Sequence, residues 1–347
     1  MRAMNSKLKV AILRILRDAG RPVGSSTIAR EIQAHGFNLS DRTVRLDLKE
    51  MERGGLVAQA KRGRDGGRTI TPLGIEEIKD ALVIDRVGFT AAKVDTLAWQ
   101  ISFNLASGSG LIVLNVSTVD ESHIAAAVNE MVPVFEAGLG MGEYVALAGP
   151  GEPLGNFRVP RGRVGIGTVC SVTLNGVLLS ARIPTVSRFG GVLEVQEGQP
   201  VRFTEVIYYD GTSLDPLEIF IKGGLTSVRQ ATRTGLGRIG ASFREVPTAA
   251  VREVEKIHRK LERVGLGGIL MLGRPNQPLL DFPVHEGRTG IVVKGGLNPA
   301  AAIEEAGIPT ANFALCTLFE FQKLIHYREL GAKVASWTSA EGMPPGR

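Results

Sequence analysis

Residues 40–57 read SDRTVRLDLKEMERGGLV, and this stretch decides how the first part of the chain folds. Val44, Leu48 and Met51 recur at helical spacing, which predicts a helix with one buried face. Ser40 stands where its hydroxyl can cap the first turn, and a pair of glycines ends the run. Polar side chains crowd the opposite face near the start of this helix: Arg42, Thr43, Arg45 and Lys49. The helix therefore faces either water or an anionic partner.

The flanking sequence predicts two helices before this one and two short strands after it. The first helix runs from about Ser6 to Ala19, and the second begins after Ser25 or Ser26, either of which can cap it. Leu56–Ala58 and Arg68–Thr71 are typical of strands, and the basic, glycine-rich segment KRGRDGG joins them as a hairpin. Three helices followed by a basic hairpin predict a winged helix-turn-helix.

This architecture indicates where duplex DNA would bind. The third helix of a winged helix-turn-helix lies in the major groove, with its N-terminal residues near the base edges. We therefore predict base contacts from Arg42, Thr43 and Arg45, because Arg binds guanine bidentately and a Thr methyl packs on thymine. Phosphate contacts are predicted for the other basic residues, which are Lys49, Lys61, Arg62, Arg64 and Arg68. The alternative is that these are solvent-facing charges on a protein-binding module.

The charge of the chain supports the DNA interpretation. The first 80 residues hold 16 Lys/Arg and 10 Asp/Glu, whereas the rest of the 347 residues holds 25 of each, so the formal net charge of +6 belongs to the first part. A small basic domain attached to a large neutral one indicates that only the small one meets a polyanion. We predict a DNA-binding domain over 1–80, an effector-binding and dimerisation domain over 84–330, and a flexible tail over 331–347.

The larger domain is predicted to be α+β, with helices packed on a mixed sheet. Apolar, β-branched runs predict strands at 111–119 and across 163–195, with Asn175-Gly176 as a tight turn between two of them. The segment DPLEIFIKGG is also predicted to be a strand. Helices are predicted at 122–138, in TSVRQATRTGLGRIGASFREV, in PTAAVREVEKIHRKLERVG and in CTLFEFQKLIHYREL.

Several classes of protein are disfavoured by the sequence. Arg14 and Arg17 interrupt the apolar N-terminal stretch, so a signal peptide is not indicated, and no apolar run approaches the roughly 18 residues of a membrane span. These features predict a cytoplasmic protein. Two distant cysteines and five scattered histidines predict no disulfide framework and no metal site.

No motif in the chain indicates an enzyme. The pattern GxGxxG at Gly235, Gly237 and Gly240 follows a polar, helical segment rather than a strand, so a dinucleotide site is not supported. Cys170 has no histidine placed beside it by any sequence feature, which favours a buried structural thiol over a nucleophile. We therefore predict no enzymatic activity and no cofactor.

Three Gly-Gly corners indicate that the larger domain could bind a small anion. They are TVSRFGG at 185–191, KGGLTS at 222–227 and KGG at 294–296. Glycine lets backbone amides approach a ligand closely, and a neighbouring Arg or Lys neutralises a carboxylate. The alternative for each corner is a turn with a solvated charge.

The chain resembles the NrpR family of nitrogen-regulatory repressors. The resemblance rests on the winged-helix start, on ALVIDRVGF, on GTVCSVTLNGVLLSARIPTVSRFGGVLEV, on EVIYYDGTSLDPLEIFIKGGLTSV and on GIVVKGGLNPAAAIEEAGI. It implies a transcriptional repressor of nitrogen-assimilation genes that 2-oxoglutarate releases from its operator. Our candidate ligand residues within the matching motifs are Cys170, Ser171, Thr173, Asn175, Ser187, Arg188, Gly190, Gly191 and Lys222.

Many NrpR proteins carry two regulatory domains, whereas this chain has length for one. A homodimer or a separate partner could supply the second copy, and a dimer would favour a palindromic operator. Two alternatives remain open at this point. The chain could respond to a different small metabolite, or it could be a metabolic enzyme tethered to DNA.

Overall fold

The computed structural model describes residues 6–35, 37–60, 67–80 and 88–340. The chain forms two compact units. The first comprises Met1–Thr96 with two short additions, Asn156–Arg158 and Asp210–Ser213, and the second comprises the remainder. The first unit thus extends beyond the domain boundary expected near residue 80.

The first unit is a winged helix-turn-helix, as predicted. Its elements are α1 (Ser6–Ala19), α2 (Ser25–Glu31), α3 (Asp41–Arg53), β1 (Val57–Gln59), β2 (Arg68–Ile70) and α4 (Pro72–Asp80). The two strands pair antiparallel, and Val23 forms a further bridge to Arg68. A fifth helix, α5 (Phe89–Gln100), contains the boundary between the units.

The apolar stripes of the three helices form the core of this unit. Ile12 of α1, Ile28 of α2 and Val44 of α3 are all fully buried in it. The Ser40 side chain accepts a hydrogen bond from the Thr43 backbone N–H at 3.2 Å, so Ser40 is the predicted N-cap. The cap predicted for α2 is wrong, because Ser25 and Ser26 both lie inside the helix and the extended Gly24 precedes it without a side-chain hydrogen bond.

The second unit is built from two five-stranded antiparallel sheets and the helices that cover them. Its helices are α6 (Ile124–Glu136), α7 (Val172–Ser180), α8 (Pro216–Lys222), α9 (Val228–Thr234), α10 (Val251–Arg263), α11 (Asn298–Glu305) and α12 (Leu330–Ala340). Its strands are β3 (Leu111–Asp120), β4 (Tyr144–Ala148), β5 (Pro153–Leu154), β7 (Arg163–Val169), β8 (Val186–Gln196), β9 (Gln199–Tyr208), β10 (Gly237–Pro247), β11 (Ile269–Leu272), β12 (Arg288–Lys294), β13 (Ala311–Glu320) and β14 (Ile325–His326). The short strand β6 (Phe157–Arg158) belongs to the first unit.

The order of the strands shows that the second unit contains the same arrangement twice. One sheet runs β14-β4-β7-β3-β13 and the other runs β11-β12-β10-β8-β9. Apart from the two-residue strands β5 and β6, the order β3-α6-β4-β7-α7-β8 is repeated along the chain as β10-α10-β11-β12-α11-β13. The last strand of each copy, β8 or β13, pairs with the first strand of the other copy, so neither copy is complete without its neighbour.

Sequence and backbone geometry agree with this duplication. Helices α6 and α10 each have 13 residues, and strands β7 and β12 each have 7. RVGI at the start of β7 corresponds to RTGI at the start of β12, and IPT recurs after each following helix. Just before each IPT, Arg182 and Gly307 both adopt positive φ, at 63° and 82°. We call the two halves the first copy and the second copy.

Four segments of the second unit differ from their predicted structure. The predicted turn at Asn175-Gly176 lies inside α7, a helix in which Val172–Leu178 are all buried. A helix buried on every side lacks the 3.6-residue pattern that would distinguish it from a strand. The segment DPLEIFIKGG contains helix α8 rather than the predicted strand, and its buried residues Leu217, Phe220 and Ile221 have helical spacing. The segments predicted to be helical at GRIGASFREV and CTLFEF instead form strands β10 and β13.

The predicted flexible tail is helical over the part that the structure describes. Helix α12 begins at Leu330, which is fully buried, and Val334 is also buried in the core that surrounds α6. These apolar contacts hold the segment on the second unit as far as Trp337, which packs against the same core.

Candidate functional site

The exposed face of α3 presents basic side chains around one apolar residue. Arg42, Arg45 and Lys49 are exposed, and Leu46 lies among them with 59% of its surface accessible. We call these four residues the reading face. Arg45 pairs with Asp41 at 2.6 Å, but both side chains are well exposed, so solvent screens this pair and the guanidinium can exchange partners.

Two other predicted DNA contacts in the described part of the first unit are used in the fold. The Thr43 hydroxyl lies 3.0 Å from the Ser40 hydroxyl within the N-terminal cap, a contact that does not involve the methyl group predicted to pack on thymine. Arg68 donates to Glu52 at 2.9 Å and its side chain is only 14% exposed, so it ties β2 to the end of α3. The prediction that Arg68 is available to a phosphate is therefore not supported. Lys61, Arg62 and Arg64 lie outside the described residues.

Leu46 is a feature of this surface that the sequence interpretation missed. It breaks the apolar stripe of α3, which is set by the buried Val44, Leu48 and Met51. An apolar residue on the charged side of an amphipathic helix was the available signal. In a major groove, such a side chain suits the methyl group of thymine.

The second unit contains a buried polar cluster around Arg244. This residue of β10 is 1% exposed, and it donates to the Ser171 carbonyl at 2.8 Å and to the Ser171 hydroxyl at 2.6 Å. It also donates to the side-chain oxygen of Asn175, whose amide in turn donates to the Ser187 hydroxyl at 3.0 Å. The Arg244 Nε atom is buried without a hydrogen-bond partner. The structure thus brings the predicted ligand residues Ser171, Asn175 and Ser187 together near Arg244, a cation that the sequence interpretation does not include.

Arg244 escaped the sequence interpretation because its partners are distant in sequence. They lie on and before α7, about 70 residues earlier in the chain. The one local indication of a buried charge is the Arg-Glu pair inside the apolar segment ASFREV, which the sequence predicts to be part of a helix.

Burial shifts the pKa of the ionisable groups in and beside this cluster. Burial raises the pKa of the Cys170 thiol from 9.0 to about 11, so it is neutral at physiological pH and unsuited to nucleophilic attack. Burial also raises the pKa of Tyr209, and the charge of Asp215 adds to this effect. Burial lowers the pKa of Arg244 from its ordinary value. Burial therefore disfavours an isolated charge in this region, whereas the charge of Arg244 acts to lower the pKa of Cys170 and so favours an anion beside it.

Comparison of equivalent positions in the two copies shows which contacts belong to the shared fold and which occur in one copy alone. The Thr173 hydroxyl bonds with the backbone N–H and C=O of Val113. At the equivalent position Asn298 bonds with the backbone N–H and C=O of Gly240. Because both copies keep this contact, we assign Thr173 to the fold. Gly190 is also tightly packed, since a Cβ there would lie 2.8 Å from Pro216.

Gly191 has the same kind of role on the neighbouring position of β8. A Cβ at Gly191 would lie 2.6 Å from the Phe203 ring and 2.7 Å from the Glu205 carbonyl oxygen. The close packing of these strands, rather than ligand contact, accounts for this glycine.

The two charged candidates from the predicted anion corners are engaged elsewhere. Arg188 lies 3.4 Å from the buried carboxylate of Glu245, which also holds His285 at 2.8 Å. Lys222 forms an ion pair with Glu304. Both cations therefore have carboxylate partners within the protein, and neither lies in the Arg244 cluster.

The second unit also contains an open cavity of about 410 Å³ near the C-terminal end of α7. Phe103, Val177 and Ile257 give it apolar walls, and Glu253 and Lys260 place opposite charges at its edge. This balance provides no net attraction for an anion. Within the described ranges, no three His, Cys, Asp or Glu side chains converge as a metal site would require.

None of the helices in the described part of the chain is long and apolar enough to cross a bilayer.

Comparison with known protein families gives two matches that divide the chain. Residues 87–326 match the model for NrpR regulatory domains NRD1 and 2, and residues 10–78 match the model for the ribonuclease R winged-helix domain. The two matches correspond to the winged helix and to most of the second unit.

Individual relatives cover nearly the whole chain. The global nitrogen regulator NrpRI of Methanosarcina mazei is 34% identical over 315 residues, which cover 91% of this chain and 96% of that protein. The global nitrogen regulator NrpR of Methanococcus maripaludis is 30% identical over 90% of this chain, which spans about half (54%) of that longer protein. A solved structure of a nitrogen repressor-like protein from Methanococcus jannaschii aligns with a TM-score of 0.58 and 26% identity, and covers 70% of this chain and 98% of that one.

Proposed function

The chain belongs to the NrpR family of nitrogen regulators, and from this premise we propose that it represses nitrogen-assimilation genes by binding their operators through α3. The observation that carries the proposal is the reading face, where Arg42, Arg45 and Lys49 stand exposed on the third helix of a winged helix-turn-helix. Helix α3 is the element of this architecture that enters the major groove.

We further propose that 2-oxoglutarate releases the repressor from DNA. The family resemblance supports this effector, and so does its chemistry, because a dicarboxylate needs a cationic site and the second unit contains a buried arginine. A different small acid is the second candidate for the same role. We place the protein in the cytoplasm, where a regulator of this kind would meet both its operator and its effector.

We also propose that the protein acts as a homodimer, or with a partner that carries a second regulatory domain. The longer relatives support this part of the proposal, since this chain spans only about half of the M. maripaludis protein. Two reading faces would bind a palindromic operator at half-sites about one helical turn apart.

The rival interpretation, an enzyme tethered to DNA, has less support. Cys170 is a neutral, buried thiol, and the relatives are named as regulators. We therefore propose a function in regulation without catalysis.

Substitution of the reading face tests the DNA-binding proposal. Arg42→Ala should weaken operator binding by about 1–3 kcal/mol and should relax the preference at one base pair, since it removes a base contact. Arg259→Ala is the matched control, because Arg259 is exposed on the amphipathic helix α10 of the other unit. The measurement is a binding titration against a library-selected operator and its single-base variants. Equal affinities for both variants and the wild type would show that α3 is not the reading helix.

A further inference from the structure

The two copies within the second unit differ at one position in a way that indicates a ligand site. Arg244 lies opposite Ile291 on β12, and Ser117 lies opposite the equivalent Ile166 on β7. The buried arginine of the second copy therefore corresponds to a buried serine in the first. The fold alone does not require a cation at this position, since the other sheet is built without one.

The residues equivalent to the partners of Arg244 have no polar side chains. By the 125-residue offset that relates RVGI to RTGI and the two IPT segments, Ser171 corresponds to Gly296 and Asn175 to Ala300. At Gly296 a Cβ would lie 2.3 Å from the Val169 carbonyl oxygen, so that position is closed to any side chain. The polar set Arg244, Ser171 and Asn175 thus occurs in one of the two equivalent places, and we call it the arginine site.

The electrostatics of the arginine site are incomplete in the structure. The three hydrogen bonds described for the guanidinium all go to neutral oxygens, and its Nε has no partner. Ser171 is the N-cap of α7, so the guanidinium lies at the positive end of a helix dipole. A buried cation beside a helix N-terminus is costly unless an anion accompanies it.

We propose that the arginine site binds a carboxylate group of a small organic acid, at one site per chain. A carboxylate is planar and accepts two parallel hydrogen bonds from a guanidinium, and such charge-assisted pairs are about twice as strong as neutral ones. The inference rests on the proposed function only in taking the acid to be 2-oxoglutarate.

The burial of the site determines how ligand binding would act on the fold. Because Arg244 is 1% exposed, a ligand reaches it only when the first turn of α7 moves away. The carboxylate then replaces the Ser171 and Asn175 oxygens as the partner of the guanidinium. Asn175 also holds Ser187 at the start of β8, so this exchange loosens the contact of α7 with the strand that crosses between the copies.

The duplication supplies the substitutions that test the site. Arg244→Ser, Ser171→Gly and Asn175→Ala each introduce the residue found at the equivalent position of the other copy, where the same architecture tolerates it. Thr173→Asn is the matched control, because it also exchanges a residue for its counterpart but lies in a contact that both copies keep.

The experiment is isothermal titration of each folded variant with 2-oxoglutarate, followed by the same titrations with succinate, glutarate and citrate. We expect the wild type to bind one equivalent per chain, Arg244→Ser to weaken binding at least tenfold, and Thr173→Asn to leave it within about twofold. If Arg244→Ser does not fold, Ser171→Gly and Asn175→Ala decide the matter, because each keeps the cation and removes a side-chain oxygen that the carboxylate must displace. Each should therefore tighten binding severalfold, and unchanged affinity in both would reject the site.

The possible outcomes separate the site from the proposed effector. Unchanged 2-oxoglutarate binding in Arg244→Ser, two equivalents per chain, or an equal loss in Thr173→Asn would overturn the arginine site while leaving the repressor intact. Binding of another acid in place of 2-oxoglutarate, with the same dependence on Arg244, would support the site and reject the effector. If the wild type bound none of these acids, the site would be rejected, and operator binding would still test the repressor.

Discussion

At the scale of single residues, the two cysteines are set apart by their surroundings. Cys170 is buried beside the arginine site, and its pKa is raised to about 11, whereas Cys316 is half-buried on β13. A raised pKa means that the folded protein holds the Cys170 proton more tightly than the unfolded chain, where the thiol ionises near pH 9.0. The contribution to stability is therefore complete below pH 9 and is lost as the pH rises toward 11.

Substitution of Cys170 by alanine should remove this part of the pH dependence of the free energy of unfolding. Between pH 7 and 8.5 the wild type and Cys170→Ala should differ in free energy of unfolding by a constant amount. By pH 10 the wild type should have lost about 1 kcal/mol relative to the variant, because each unit of pKa shift corresponds to 1.36 kcal/mol. Urea denaturation of both proteins across this range is the measurement. Other buried groups, such as Tyr209, are present in both proteins and cancel, so parallel pH profiles would contradict the burial of the thiol.

At the scale of secondary-structure elements, Gly176 tests whether α7 is a packed helix or the turn that the sequence suggested. A Cβ at Gly176 would lie 2.6 Å from the Ile101 Cβ and 2.9 Å from the Ala98 carbonyl oxygen. Gly176→Ala should therefore destabilise the protein by about 1–3 kcal/mol through overpacking, although alanine is the better helix former.

Gly331 provides the matched control for this substitution. It lies in α12 with open space where a Cβ would stand. Gly331→Ala should stabilise the protein by up to about 1 kcal/mol, since only the helix preference and the reduced freedom of the unfolded chain remain. Thermal unfolding measures both variants. A gain in stability for Gly176→Ala would mean that α7 is not packed as described.

The same elements show what could be predicted from the sequence. The winged helix was predictable because its helices lie at a surface, so Val44 and Leu48 on one side and Arg42 and Arg45 on the other produce a clear helical period. Helix α7 has no polar side, and its apolar residues fit a strand equally well. The motif predicts three residues of the buried polar cluster around Arg244, which are Ser171, Asn175 and Ser187, but it does not predict Arg244 itself. Long-range pairing between β8 and β10 places Arg244 opposite Ser187, and the packing of α7 brings Ser171 and Asn175 to it. No local pattern carries that information.

At the scale of the whole molecule, the proposed mechanism requires an effect of the ligand on DNA binding. A ligand that shifts the arginine site can weaken operator binding in two ways. It can alter the distance between two reading faces in a dimer, or it can change each reading face directly. We expect the first way, because Arg244 and its hydrogen-bond partners belong to the second unit, whereas the reading face belongs to the first.

The last prediction separates these two routes. An operator with both half-sites should bind two chains, and saturating 2-oxoglutarate should weaken that binding at least fivefold, a typical allosteric coupling. An isolated half-site binds one reading face without any constraint on spacing, so its weaker affinity should not change with the effector. Fluorescence anisotropy with both duplexes, at equal salt concentration, is the measurement. A full operator whose half-sites are moved apart by about five base pairs is the geometric control, because half a helical turn places the second half-site on the opposite side of the duplex. If the effector weakened the isolated half-site as much as the full operator, the ligand would act on the reading face itself and the spacing mechanism would be wrong.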